Sequence, residues 1–162
     1  MKTKNIVFFI LFLFIVVCDQ VTKLYFEFNY VLGQHESIID GFFGFYYVLN
    51  PGSAFSFLAG APDWFRKPIL ITIPLIALFI IYKLLSELKE NDVLSSSMLA
   101  LIAGGALGNL LDRIRIGSVT DFILFHWKDI YYYPAFNIAD SAICVGAFYL
   151  LIEFFIKRKQ PV

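Results

Sequence analysis

Apolar residues fall into four runs, each long enough to cross a bilayer as a helix, which takes about 20 residues. The runs cover residues 5–26, 68–85, 93–111 and 138–156. Pro74 lies inside the second run and predicts a kink there. The pattern predicts a single integral-membrane domain over residues 1–162, mostly α-helical, with long outer connections at about 27–67 and 112–137.

The first outer connection contains a segment with the period of a β-strand. Within residues 43–49, every second side chain is Phe, Tyr or Leu. Asp40-Gly41 precedes it and is a hairpin turn signal, which makes residues 37–39 the partner strand. The sequence therefore predicts a small β-sheet in this loop, lying on the membrane surface.

The first apolar run has two interpretations. A short basic start, an apolar stretch and the cysteine at Cys18 are typical of a lipoprotein signal peptide. However, Val17 precedes the cysteine where a small residue is expected, and the run continues past Asp19. Three further spans follow, so we expect a retained transmembrane helix.

Composition supports a membrane protein. Hydrophobic residues make up 59% of the chain and charged residues 16%, and the mean hydropathy is +0.74. The net charge is zero, which argues against a nucleic-acid partner. Cys18 and Cys144 both lie in apolar runs and do not indicate a disulfide framework.

Basic residues set the predicted orientation, because cytoplasmic loops carry an excess of Lys and Arg. Four spans put both termini on one side, which we predict to be cytoplasmic, with both long connections periplasmic. Arg66, Lys67, Arg115 and Lys128 lie on the opposite side, so the rule supports this topology without deciding it. The bases on the predicted cytoplasmic side are Lys2, Lys4, Lys83, Lys89, Lys157, Arg158 and Lys159.

Two aspartates are the leading candidates for chemistry. Asp121 lies in the second outer connection, and Asp140 lies at the start of the fourth run. Taken alone, Asp121 reads as a solvated loop residue, and Asp140 as a first-turn acid behind an Asn137 N-cap. Ionisable groups near the hydrocarbon boundary are costly, however, and a carboxylate pair is able to share one proton and activate water.

Polar residues at the outer end of the third run favour the functional interpretation. Asn109 and Asp112 are three residues apart on one helix face, and Arg113 follows them. Gly104 and Gly108 are better explained as a small-xxx-small packing face. On the first run, Asp19 and Lys23 share a face; an interfacial ion pair and a functional role are about equally supported.

Other chemistries lack their motifs. The sequence contains neither H-E-x-x-H nor G-x-S-x-G, and two histidines, His35 and His126, are too few for a His-rich metal site. Two other classes compete: a proton-conducting or transport subunit, and a scaffold without chemistry. Acids gathered at one face disfavour conduction, and a scaffold leaves the polar cluster unexplained.

Five blocks along the chain resemble the ordered motifs of lipoprotein signal peptidase (signal peptidase II). The resemblance implies an aspartic endopeptidase of the bacterial inner membrane, without metal or cofactor. Its partners would be diacylglyceryl-modified prolipoproteins, cut just before the lipidated cysteine, and membrane lipid, with the enzyme a monomer. The blocks are DQVTK at 19–23, NPGSAF at 50–55, GGALGNLLDR at 104–113, VTDF at 119–122 and FNIADS at 136–141.

The resemblance also implies residue roles. Asp121 and Asp140 would form the catalytic dyad, near the periplasmic face. Asp112 would be structural or substrate-positioning. The remaining residues would line or support the substrate site: Asp19, Lys23, Asn50, Gly52, Gly105, Gly108, Asn109, Arg113, Asn137 and Ala139.

Overall fold

The fold is that of a computed structural model, which describes residues 3–52, 58, 60–128 and 130–158. Motif residues Ser53, Ala54 and Phe55 lie outside the described residues, as do Lys2 and Lys159 and the side chains of Lys157 and Arg158. Four helices confirm the four predicted spans: the first two extend past both predicted ends, and the last two begin as predicted and end later. They are α1 (Thr3–Asn29), α2 (Asp63–Glu87), α3 (Val93–Ile116) and α4 (Ile138–Arg158).

Helix α3 lies at the centre of the bundle. In its membrane-spanning stretch 61% of the residues are buried, against 11–17% in the same stretch of the other three helices. Small residues allow its neighbours to approach closely. A Cβ added to Gly104 would lie 2.9 Å from the Cβ of Ile15 on α1, and one added to Gly105 would collide with the carbonyl oxygen of Ala139 on α4. The packing interpretation of the glycine face is therefore confirmed.

A four-stranded antiparallel sheet covers one end of the bundle. Residues 37–39 pair with β2 as predicted, and Gly41 adopts φ +72° in the hairpin turn. The sheet also contains two strands from the second outer connection, which the alternation in the first did not predict. The order is β1 (His35–Ile39), β2 (Phe43–Asn50), β3 (Val119–Trp127) and β4 (Tyr131–Tyr132).

The environment of Asp121 differs from that of an isolated loop aspartate. Asp121 lies in β3, opposite Val48 of β2, and only 2% of it is exposed. The pairing of β2 with β3 places both outer connections at the same end of the bundle, as the topology requires. These two strands are about 70 residues apart in sequence, and a local residue pattern does not predict pairing over that distance.

Aromatic packing attaches the sheet to the bundle. Phe26, on the last turns of α1, stacks on Phe122 of β3 with ring centroids 4.3 Å apart, and Tyr47 of β2 completes the cluster. At the opposite end, Lys4 is buried and donates a 2.7 Å hydrogen bond to the carbonyl of Leu85 near the end of α2. Contacts near both ends of α1 thus attach it to the rest of the chain.

Helix α2 runs through both of its internal prolines, Pro68 and Pro74. Proline has no backbone N–H and crowds the preceding turn, so the backbone hydrogen bonding of α2 is weakest at these two residues. The predicted distortion at Pro74 does not interrupt the helix.

Candidate active site

Asn137 joins the two candidate aspartates. Its Nδ2 donates to Oδ1 of Asp121 at 2.7 Å, and its backbone N–H donates to Oδ2 of Asp140 at 3.3 Å. Its Oδ1 in turn accepts a 2.9 Å bond from the backbone N–H of Asp140. One residue at the start of α4 therefore fixes a carboxylate from β3 beside a carboxylate from its own first turn.

Asn109 on α3 supplies a second connection between these groups. Its Nδ2 donates to Oδ1 of Asp140 at 2.8 Å, and its Oδ1 accepts from Lys23 at 2.8 Å and from Asn137 at 3.2 Å. The side-chain hydrogen bonds of Asn109 and Asn137 to Asp121, Asp140 and Lys23 fix which way each amide points. Asp140 is thereby linked to α1 through a single side chain.

Asn50 and Arg113 close the site from the side of the first connection. Asn50 donates from Nδ2 to Oδ2 of Asp121 at 3.1 Å, and its Oδ1 accepts from the backbone of Gly52 at 3.0 Å, which is an Asx-turn contact. Arg113 donates to the Gly52 carbonyl at 3.2 Å. It also donates to the Asn109 carbonyl at 3.4 Å, so the guanidinium is held between α3 and the first outer connection.

A buried charge network lies beneath the dyad. Lys23, Asp19 and Asp112 are fully buried, and Lys23 Nζ lies 2.9 Å from Asp19 and 3.2 Å from Asp112. Asp19 accepts a 2.9 Å bond from the backbone N–H of Ala139, and Asp112 accepts one of 3.0 Å from that of Thr120. Asp19 thus pairs with Lys23 and holds the residue before Asp140, while Asp112 holds the residue before Asp121.

The small residues predicted at the site act through backbone approach. Ala139 is fully buried where α4 meets Gly105, and a Cβ on Gly108 would collide with the Asp19 carboxylate. Helix α3 therefore needs residues without a side chain at 105 and 108. Only then can the start of α4 and the Asp19 carboxylate approach its backbone.

Burial and a neighbouring charge perturb Asp121. Desolvation raises its pKa from the ordinary value of 3.8 to about 7, and the charge of Asp140 acts in the same direction. Hydrogen bonds from Asn50 and Asn137 oppose the rise. The raised pKa places the titration of Asp121 close to neutral pH, which suits a carboxyl pair that shares one proton.

Four residues in contact with the site received no role from the sequence. Gln20 donates to Asp19 at 3.1 Å, and Thr120 bonds to Glu27, which pairs with Arg115. Spacing provided a signal for two of them, because Gln20, Lys23 and Glu27 recur three and four residues apart on one face of α1. No local signal indicated that Arg115 and Thr120 meet that face.

Within residues 3–52, 58, 60–128 and 130–158, no three His, Cys, Asp or Glu side chains are grouped to hold a metal ion. His35 and His126 lie near each other in the sheet, with ring centroids 5.9 Å apart. The absence of a cofactor stays a prediction from the resemblance.

Comparison with known proteins decides the family. The family model Peptidase_A8, described as Signal peptidase (SPase) II, matches residues 11–156. The chain belongs to the signal peptidase II family. As a member of this peptidase family with four apolar helices, it is a multi-pass bacterial membrane protease, in agreement with the sequence prediction.

Relatives match over nearly the whole chain. A lipoprotein signal peptidase from Syntrophus aciditrophicus is 42% identical over 160 residues, covering 99% of both chains. One from Geobacter sulfurreducens is 44% identical over 147 residues, covering 90% of each. A bacterial membrane enzyme solved by the in meso method at 2.3 Å is 28% identical, with a TM-score of 0.82 over 96% of this chain and 93% of that one. The chain is thus similar to lipoprotein signal peptidases in sequence and to a bacterial membrane enzyme in fold.

Proposed function

We propose that this chain is an aspartic endopeptidase that removes the signal peptide from diacylglyceryl-modified prolipoproteins, cutting just before the lipidated cysteine. Similarity to lipoprotein signal peptidases supports the substrate class. The observation that carries the catalytic type is the joining of Asp121 and Asp140 by Asn137. Two carboxylates held by one residue, with Asp121 buried and Asp140 half-buried, are arranged for proton sharing.

In the proposed mechanism, the dyad carries one proton. The ionised carboxylate takes a proton from water as the water oxygen attacks the scissile carbonyl carbon. The protonated carboxyl donates a hydrogen bond to the carbonyl oxygen, which gains negative charge. Collapse of the tetrahedral intermediate breaks the C–N bond, and the departing amine accepts a proton from the dyad. One proton enters from water and one leaves on the amine, so the dyad returns to its starting state.

The surrounding residues have separate proposed roles. Asn109 and Asn137 hold the two carboxylates, while Asn50, Gly52 and Arg113 line the side where the substrate backbone would bind. Arg113 has donors suited to a substrate carbonyl. Lys23, Asp19 and Asp112 keep α1, α3 and α4 in register beneath the dyad, with Gly105, Gly108 and Ala139 at their contacts.

The position of the site suits a lipid-linked substrate. The dyad lies where α3 ends and α4 begins, beside the sheet. The substrate's signal helix would lie against α3 and α4, with its acyl chains in lipid and its cleavage bond at the interface. We place this end at the periplasmic face of the inner membrane, with both termini cytoplasmic and a monomeric enzyme.

A cleavage assay with purified protein tests the proposal. A diacylglyceryl-modified prolipoprotein is compared with its unlipidated form, using wild type, Asp121→Asn and Asp140→Asn. Asp40→Asn is the matched control, since Asp40 is exposed and bonded only to Ser37 among the contacts described. We expect cleavage of the lipidated form alone, lost in both dyad variants, kept in the control and insensitive to chelator.

Other outcomes would contradict the proposal. Cleavage that survives both dyad substitutions would remove these aspartates from the mechanism. If folded wild type does not cleave either substrate, the transport hypothesis returns, and a flux assay in proteoliposomes would test it.

A further inference from the structure

A second ion pair contacts the strand that carries Asp121. Arg115 on α3 donates through both Nη atoms to the Glu27 carboxylate on α1, with Nη1 2.7 Å from Oε2. The Glu27 side chain is 15% exposed and that of Arg115 is 40% exposed. Two-point contact fixes the carboxylate in a single orientation.

Glu27 uses this orientation to hold Thr120. The Thr120 hydroxyl donates to Oε1 of Glu27 at 2.9 Å, and the residue is fully buried. Its backbone N–H is taken by Asp112 at 3.0 Å, and its carbonyl oxygen accepts from Asn137 at 3.2 Å. The side chain, N–H and carbonyl of the residue before Asp121 are therefore all occupied.

We infer that Glu27 and Thr120 are positioning residues for the peptidase reaction: Arg115 orients Glu27, Glu27 holds the Thr120 hydroxyl, and Thr120 sets the place of Asp121 relative to Asp140. This inference rests on the proposed function. A displacement of about 1 Å at a reacting group lowers the rate by up to about a hundredfold. Loss of a contact one residue away from Asp121 should therefore lower kcat.

Two substitutions at Thr120 distinguish a role in positioning Asp121 from a role in fold stability alone. Thr120→Val removes only the hydroxyl, keeps the shape and β-propensity of the residue, and leaves the Glu27–Arg115 ion pair in place. Thr120→Ser keeps the hydroxyl. We expect Thr120→Val to lower kcat about tenfold with KM unchanged, and Thr120→Ser to stay within about threefold of wild type.

A double-mutant cycle and a matched control complete the experiment. Glu27→Met, which has no oxygen to accept from Thr120, should also lower kcat, and Glu27→Met combined with Thr120→Val should be no slower than the worse single variant, because both break the same contact. Asp63→Asn breaks an exposed ion pair with Arg66 and Lys67 on α2 and should leave kcat unchanged. All variants are assayed for kcat and KM on lipidated substrate.

The outcomes distinguish the two proposals. Wild-type kcat in both Thr120→Val and Glu27→Met, with Asp121→Asn inactive, would overturn the positioning role and leave the peptidase assignment intact. Activity in Asp121→Asn would overturn both. If Thr120→Val fails to fold, Glu27→Met still decides: a lower kcat with KM unchanged supports the inference, and an unchanged kcat contradicts it.

Discussion

Asn137 and Asp140 hold each other by two reciprocal hydrogen bonds at the start of α4. The Asn137 side chain accepts from the Asp140 N–H at 2.9 Å, and the Asp140 carboxylate accepts from the Asn137 N–H at 3.3 Å. This is the geometry of a capping box, with asparagine and aspartate in the two positions. A common device for starting a helix therefore also orients one of the two proposed catalytic carboxylates.

The capping and bridging roles of Asn137 should separate in mutants. Asn137→Ser keeps an N-cap oxygen but removes the amide donor to Asp121, so we expect near-normal stability and a loss of kcat of at least about tenfold. Asn137→Ala removes both and should also cost about 1 kcal/mol of stability. Thermal unfolding and kcat measured on the same preparations would check this. Equal kcat in Asn137→Ser and wild type would contradict the bridging role.

Lys23 should be among the most sensitive positions for stability. Lys23→Met keeps the length of the side chain but leaves Asp19 and Asp112 buried without their cation. Removing one partner of a buried ion network costs about 3–5 kcal/mol. Lys67→Gln is the control, because its pair with Asp63 is exposed and should be worth less than about 1 kcal/mol. Denaturant or thermal unfolding in detergent measures both; similar losses in the two variants would contradict the network's importance.

Glycines of α3 should tolerate no side chain. Gly105→Ala would drive a methyl group into the Ala139 carbonyl, at the first turn of α4. We expect about 1–3 kcal/mol of destabilisation and a fall in kcat, because that turn carries Asp140. Gly60→Ala is the control, since an added Cβ there meets nothing within 4 Å. Unfolding midpoints and kcat of the two variants test this, and a neutral Gly105→Ala would count against the close packing.

The pH dependence of activity should follow the proton of the dyad. Asp121 has a pKa of about 7, raised first by burial and then by Asp140. Loss of the shared proton should therefore reduce kcat/KM above about pH 7, by about tenfold per pH unit. Asn50→Ala removes a donor that favours the Asp121 carboxylate, so its pKa should rise further and the alkaline limb should move to higher pH.

Stability should respond to the same group. The folded protein holds a proton on Asp121 that the unfolded chain releases near its ordinary pKa of 3.8. The contribution of Asp121 to the free energy of unfolding is therefore greatest below about pH 4, falls as the pH rises to about 7, and is constant above that. Comparing the unfolding of wild type and Asp121→Asn across this range isolates it. Parallel curves would contradict the raised pKa, as would a kcat/KM that stays flat to pH 9 in the activity profile.

The sequence was informative where the physics is local. Long apolar runs, the Asp40-Gly41 turn and the glycine face of α3 each depend on neighbouring residues, and the structure agrees with each. Long-range pairing was not readable in the same way. Strand β3 forms because β2, from the other connection, lies beside it, and this changes Asp121 from a loop residue into a buried one.

The same limit explains the missed contacts. Arg115 and Glu27 are 88 residues apart, and Thr120 and Glu27 are 93 apart. Nothing in a single sequence indicates that these side chains meet. Asp19 and Lys23 were easier to pair because they are one helical turn apart, but their full burial depends on Asp112, Asn109 and Ala139 from later parts of the chain.

The arrangement of the buried charges also bears on how the chain is made. Helix α1 is synthesised first, and it carries Asp19 and Lys23 on one face, 2.9 Å apart. It therefore enters the lipid with its two opposite charges already facing each other. Helix α3 is made later and carries Asp112, whose counter-ion Lys23 has already been synthesised. Thr120 follows, and its N–H donates to the Asp112 carboxylate. Within the network of Asp19, Lys23 and Asp112, each charge is therefore synthesised after its counter-ion or within a few residues of it.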